Sequence, residues 1–321
     1  AIDYVKDRSP SVEVHTSLSA HPFVTELPPG DYTITAERGK EYHPTVARVS
    51  ISDRDAAIRL ELRRWTNMAA KGWFSGDTHV HRTVPELPNV MLAEDLNVAL
   101  PLTAWVTDSR QDPSTSNKNP RRVPPSKLIE VDPTHVIWPV NTEYEIFTVN
   151  GKSHTLGAIF ILNHKEAFTL AAPPVKPIAQ EAQRQGAILE LDKHSWPWSM
   201  MLMPIMQVPL FELTNNHLWR TEFLYDGWYP EYVGEYMNIK LENNRFTERQ
   251  WIDFGFQNYY ALLNCGFNMN PTAGTASGVH PVPLGFGRVY VKIDGAFSYQ
   301  KWLDGLTAGR SFVTTGPMLE V

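Results

Sequence analysis

The segment Gly76-Asp77-Thr78-His79-Val80-His81-Arg82 carries two histidines at positions i and i+2. On an extended strand alternate side chains share one face, so both imidazoles can reach a single metal ion. A bare pair of this kind is weak evidence in a chain with eleven histidines, and the preceding Gly-Asp and the strand context strengthen it. Cys265 is the only cysteine, which excludes intramolecular disulfides and thiolate clusters and leaves any metal to nitrogen and oxygen donors. Cys265 itself is expected to be structural. A divalent ion held by imidazoles and carboxylates, with one open position, lowers the pKa of bound water and polarises a carbonyl or phosphoryl group. Hydrolysis is the chemistry to expect.

Further donors stand at the ends of apolar runs. Glu94 and Asp95 precede the run from Val98, and Glu143 follows the run through Val140. Asp192 and His194 close the run through Leu191, and Asn215, Asn216 and His217 close the run through Leu213. In an α/β barrel the carboxyl ends of the strands meet at one face, so such residues converge although they are far apart in the chain. Asp192 or Asp77 could take the water proton as general base or orient a liganding histidine, two roles the sequence does not separate. Lys193 and Arg82 adjoin proposed ligands and could stabilise a developing oxyanion, or serve as ordinary structural charges. Trp73, Trp105, Trp138, Trp196, Trp198 and Trp219 lie near these segments, as core or as aromatic walls of a cleft. Met200, Met201, Met203 and Met206 read first as core.

The elements that must hold these groups fall into two parts. Residues 1–66 contain short β-branched or apolar runs, Val12–His15, Tyr32–Ala36, Thr45–Ile51 and Ala57–Leu62, with a turn at Pro28-Pro29-Gly30-Asp31, which predicts a small all-β, sandwich-like module. From 67 to 321 the pattern alternates. Val98–Val106, Val136–Val140, Ala158–Leu162, Ala187–Leu191 and Leu210–Thr214 read as buried strands. Pro177–Gln185, Glu248–Cys265 and Tyr299–Ala308 read as helices, and 109–125 reads as a long loop. This is an α/β pattern, a barrel or a doubly wound sheet.

The 321 residues carry 29 Lys and Arg against 35 Asp and Glu, a net charge of −6. That balance argues against a nucleic-acid surface, with a localised basic patch still possible, and the partner expected is a small-molecule substrate. The most apolar stretch, Met200–Phe211, is too short and too broken by proline to span a bilayer. The appended β-module leans towards a secreted or periplasmic protein. The run Thr314–Val321 ends as a strand begins, so the chain reads as a portion of a longer one.

Several segments together resemble the CehA/McbA metallohydrolases of the PHP (polymerase and histidinol phosphatase) superfamily. They are Gly76–Arg82, Ala93-Glu94-Asp95-Leu96-Asn97-Val98, Asn215-Asn216-His217, Leu263–Val291 and Gly309–Pro317. The segment Leu27–Ala36 resembles a strand pair of transthyretin-like or carboxypeptidase-regulatory-like sandwiches. The larger resemblance implies a distorted (β/α)7 barrel with metal at the carboxyl ends of its strands, and a carbamate, ester or amide as the group hydrolysed. It makes His79 and His81 ligands, Glu143 the bridging carboxylate with Glu145 as substitute, and His217 a further ligand. His154 and His194 stand evenly between ligand and structural histidine. Where the superfamily carries Thr-Asp-His this chain has Thr103-Ala104-Trp105, and where it carries Gly-Ser-Asp-x-His this chain has Gly274-Thr275-Ala276-Ser277-Gly278. With two ligand positions missing, one or two ions (Zn, Mn or Fe) are expected instead of three. The alternatives are a PHP-type phosphoesterase and a non-catalytic binding protein with a degenerate site.

Overall fold

The computed structural model describes residues 2–3, 16–17, 24–115, 123–192, 197–218, 230–316 and 318. In the amino-terminal part, β1 (Ile2–Asp3) pairs with β2 (Thr16–Ser17), β3 (Gly30–Ala36) with β5 (Thr45–Ile51), and β4 (Tyr42–His43) with β6 (Arg63–Arg64). Among the described residues these are three separate two-stranded sheets, not two packed layers. The strand expected over Ala57–Leu62 is irregular backbone, mostly exposed and with no neighbouring strand to pair with. Val12–His15 lies outside the described residues.

The remainder is a mixed α/β fold. In chain order it contains β7 (Trp73–Val80), α1 (Leu87–Glu94), β8 (Val98–Pro101), β9 (Ala104–Asp108), β10 (Ser114–Thr115), β11 (Ile129–Asp132), β12 (His135–Ile137), β13 (Thr142–Val149) and β14 (Lys152–Leu162). There follow α2 (Lys176–Gln185), β15 (Ile188–Leu191), α3 (Pro197–Met206), β16 (Leu210–Thr214), α4 (Glu248–Asn264), β17 (Asn270–Ala273), β18 (Arg288–Lys292), α5 (Tyr299–Thr307) and β19 (Ser311–Thr314). One sheet runs β10-β9-β13-β14-β15-β16-β17 and the other β11-β12-β8-β7-β18-β19. The Val80–Ser277 bridge ties the end of β7 to the segment that follows β17, with the His81 amide donating to the Ser277 carbonyl at 2.8 Å.

A (β/α)7 barrel would have one ladder of parallel strands, whereas here the ladder is divided between two sheets and β14 is antiparallel to both β13 and β15. The reason is local. Asn150 and Gly151, the two residues between β13 and β14, have φ of 52° and 71°. An Asn-Gly pair with both φ positive makes the tight turn whose twist suits a hairpin, so the chain reverses with no helical crossover. Similarly, the run Val98–Val106 is split into β8 and β9, because at the break the Thr103 and Ala104 amides both donate to the Asn141 carbonyl.

Apolar side chains fill both faces of the sheets. Phe74, Leu100, Phe160, Leu162, Leu210 and Trp302 pack into one core, while Ile178, Ala182 and Met203 of α2 and α3 close another against Ile159, Ile161 and Leu189. Met203 and Met206 are buried as expected, whereas Met201 is 53% exposed. Thr247 caps α4 reciprocally with Gln250, and Ser298 caps α5, which fixes where both helices begin. Cys265 is exposed at the end of α4, outside any core.

Candidate metal centre

β7 delivers both histidines to the interior. The imidazole Nδ1 of His79 lies 2.9 Å from Glu212 Oε1 on β16. A carboxylate only accepts, so the proton belongs on Nδ1 and the Nε2 lone pair faces the other way, towards His81. There the two Nε2 atoms stand 3.2 Å apart, and His81 Nε2 is 3.3 Å from Glu143 Oε2 on β13. His79 Nε2 lies 3.9 Å from the other oxygen of Glu143. Donors sharing a tetrahedral ion at about 2.0–2.1 Å stand ~3.3 Å from one another. The arrangement therefore fits a divalent cation on His79, His81 and Glu143.

Two further donor groups overlap this one, His79 with Asp192 and Glu212, and Glu143 with Glu145 and Asp192. Strand alternation accounts for the crowding, since Glu143 and Glu145 are two apart on β13 and so share a face. All of these side chains are buried. Glu190, two residues before Asp192, accepts from Thr78 Oγ1 at 2.8 Å, and burial pushes its carboxyl up to about 8.

Asp77 is fully buried beneath the pair. Its carboxylate accepts from the His79 amide at 3.1 Å, from the Thr275 hydroxyl at 2.6 Å and amide at 3.3 Å, and from the Gly285 amide at 3.0 Å. Burial raises it to about 7 against those hydrogen bonds. The group ties the end of β7 to the 275–285 segment. Gly274 is needed in the same region because a Cβ there would collide with His79 Cβ and Glu212 Oε1. Gly278, at φ +105°, lets the chain pass the Arg82 amide, which an added Cβ would approach to 2.7 Å. Buried Arg82 donates through Nε to Ser277 Oγ at 3.2 Å.

Of the residues expected at the site, His79, His81, Glu143 and Asp192 come together. Glu94 does not. It ends α1 ahead of β8, at the amino end of the strands, where desolvation lifts its carboxyl to about 7 against the neighbouring charges of Arg288 and Lys40. His154, partly exposed on β14, belongs to none of the three donor groups. His217 is buried but also outside them, edge-on to Trp251 at 5.8 Å and facing His280 at 6.4 Å between ring centroids. Lys193, His194, Trp196 and Trp219 lie outside the described residues, as does the Trp198 side chain. Trp105 lies against His81, while Trp138 stacks on Tyr299 and Trp73 meets Phe312 edge-on. Glu212 was missed. Its signal is an acidic residue in the middle of the apolar run Leu210–Thr214, a charge no core strand needs.

Among the described residues no helix is long and apolar enough to cross a membrane. No family model and no curated protein matches the chain. Two solved structures are similar to it. One is a two-domain protein from Bacteroides vulgatus containing a predicted PHP-like metal-dependent phosphoesterase, with 11% identity and a TM-score of 0.42 over 76% of this chain and 65% of that one. The other is a lesion-specific endonuclease from Pyrococcus furiosus, with 10% identity and a TM-score of 0.40 over 75% of this chain and 57% of that one. This chain thus spans less than two thirds of either. The expectation of a small-molecule substrate and no nucleic acid is corrected beside the endonuclease. A net charge of −6 does not bar a polyanion, because a bound cation inverts the local charge of an acidic cleft.

Proposed function

We propose that the chain is a metal-dependent hydrolase with the site of a PHP-like enzyme. The observation that carries this reading is the crowding of His79, His81 and Glu143, at donor spacings of 3.2 to 3.9 Å, among further buried carboxylates. Buried donor atoms converging on one point, with carboxylates within 4.8 Å, are what a bound divalent cation would use and neutralise. Held there, a divalent ion supplies Lewis acidity and water activation.

The chain's own groups have distinct tasks in this scheme. Glu212 holds the His79 ring in the tautomer that turns Nε2 to the ion. Asp77, with both oxygens occupied, positions β7. In this scheme Asp192, within the donor cluster, accepts the proton of the attacking water. Arg82, engaged with Ser277, supports the loop that carries His81. The motif resemblance to CehA/McbA enzymes favours a carbamate, ester or amide as the scissile group.

The test is a screen of zinc- or manganese-loaded protein against aryl carbamates, aryl esters, aryl phosphates and a phosphodiester oligonucleotide. Turnover of the carbamate or ester is expected. Turnover of phosphate substrates alone would reassign the reaction to phosphoester hydrolysis, and none at all with the cation bound would remove the enzyme reading.

A further inference from the structure

An open cavity of about 460 Å³ is lined by Val84, Pro124, Pro125, Leu128, Ile129 and Pro139, with the exposed Lys127 at its rim. That volume falls within the roughly 300–1,000 Å³ of small-molecule sites, and the lining is apolar apart from the one lysine. Pro124, Pro125 and Pro139 have a fixed φ, which leaves little backbone to rearrange, so the hollow is preformed. Leu128 and Ile129 pack against two different cores, which holds its floor in place. Apolar walls that face solvent contribute nothing to folding, whereas an apolar ligand would remove them from water.

The topology sets this cavity beside the metal centre. In the parallel ladder β7-β8-β12, Ala99 pairs with Asp77 on one side and with Ile137 on the other, so the three strands end along one edge. His81 follows β7 at that edge and Pro139 follows β12 there, while Ile129, at the start of β11, pairs with Ile137. Strands stand ~4.8 Å apart, so two spacings, about 10 Å, separate the end of β7 from that of β12. Val84 is close to His81 in the chain, at His81-Arg82-Thr83-Val84, a span of at most ~11 Å. Pro139 is similarly tied to Glu143, through Val140-Asn141-Thr142, by at most ~14 Å. The edge is continuous from the donors to the cavity, and two of its walls hang on short lengths of chain from proposed ligands.

We propose that this cavity receives the apolar substituent of the substrate, an aromatic ring or branched alkyl group joined to the scissile group by a linker of a few atoms. The proposal rests on the hydrolase reading and names its substrate class, a molecule with the reacting group at one end and an apolar body at the other.

The probes are methylphosphonate and 4-phenylbutylphosphonate, which share an anionic head and a carbon–phosphorus bond that hydrolases of esters do not cleave. Both are titrated calorimetrically into zinc-loaded protein, and the longer one is placed by nuclear Overhauser contacts from its ring to side-chain methyls. The phenylbutyl compound should bind about tenfold tighter, ~1.4 kcal/mol, with contacts to Val84, Leu128 and Ile129. Val84→Trp fills the cavity and Pro125→Gln makes its wall polar, and neither residue belongs to an apolar core. In each variant the ratio of the two affinities should fall below about threefold. Equal affinities in the wild type, a ratio that persists in both variants, or a ring in contact with other methyls overturns the proposal. If zinc binds but neither phosphonate does, the proposal falls while the metal centre stands. If zinc does not bind, the hydrolase reading has failed and the proposal falls with it.

Discussion

The two ends of the strands use buried charge in opposite ways. At the amino ends, Arg64 bridges Glu41 at 2.6 Å and Asp95 at 2.8 Å, Arg38 reaches Asp95 at 3.2 Å, and the Tyr290 hydroxyl donates to Glu41 at 3.2 Å. Lys40 donates to the Thr315 carbonyl at 2.9 Å, and Arg288 to the Asp95 and Glu94 carbonyls at 3.0 Å each. Glu41 and Asp95 each face an arginine there, and the network fastens the 38–64 segment to the sheets. On the other side, where β7 and β15 end, Glu143 and Glu145 from the first half of β13, Asp192 after β15 and Glu212 from the middle of β16 gather around two imidazoles. A compensated network joins parts of a fold. Imidazole and carboxylate donors converging within 4.8 Å are the pattern a divalent cation requires, and that donor geometry separates the second cluster from the first.

The sharpest way to break this contrast is to remove both imidazoles. His79→Ala with His81→Ala should lower divalent-cation affinity by more than about 100-fold, read by equilibrium dialysis, and abolish hydrolysis. Folding should survive because the variant also relieves crowding. At the other end, Glu41→Ala should leave the cation affinity alone and cost about 2–3 kcal/mol in denaturant unfolding, because Arg64 and Tyr290 lose a buried partner. Glu212→Ala should weaken cation binding by about 10–100-fold, the range for a group that orients a ligand. A result near unity would move Glu212 from that role.

The smallest expected effect concerns pH. Burial pushes the Glu94 carboxyl from its ordinary 4.5 up to about 7 in the folded chain. Between those values the folded state binds more protons, so the contribution of Glu94 to stability is whole below pH 4.5 and is lost as pH rises through about 7. Glu94→Gln should reduce the change in unfolding free energy between pH 4.5 and 7 by about 1 kcal/mol, read from denaturant titrations across that range.

The same contrast explains what could be read from the sequence. His79 and His81 are legible because two residues on one strand suffice to define their common face. Helices α2, α4 and α5 were placed to within two residues from their apolar spacing and terminal residues. Glu94 misled because it adjoins a strand at its beginning, and residues that precede a strand stand at the amino end, away from a site at the carboxyl end. Glu190 and Glu212 were hidden inside short apolar runs, where one acid reads as an interruption and not as the purpose of the strand. The antiparallel β14 was not legible, because at Asn150-Gly151 two residues decide between a hairpin and a crossover. Which strands become neighbours across the Val80–Ser277 bridge is set by long-range packing that no local pattern encodes.

The central claim is that the crowd of carboxylates and imidazoles around His79 and His81 exists to hold a cation. Its most direct test is elemental analysis of the purified protein, before and after soaking in zinc or manganese, together with the His79→Ala, His81→Ala variant. The account predicts at least one equivalent of divalent metal in the wild type, removed by chelator and restored by soaking, and none retained by the variant. Less than about one-tenth of an equivalent in the wild type, not restored by soaking, would contradict it.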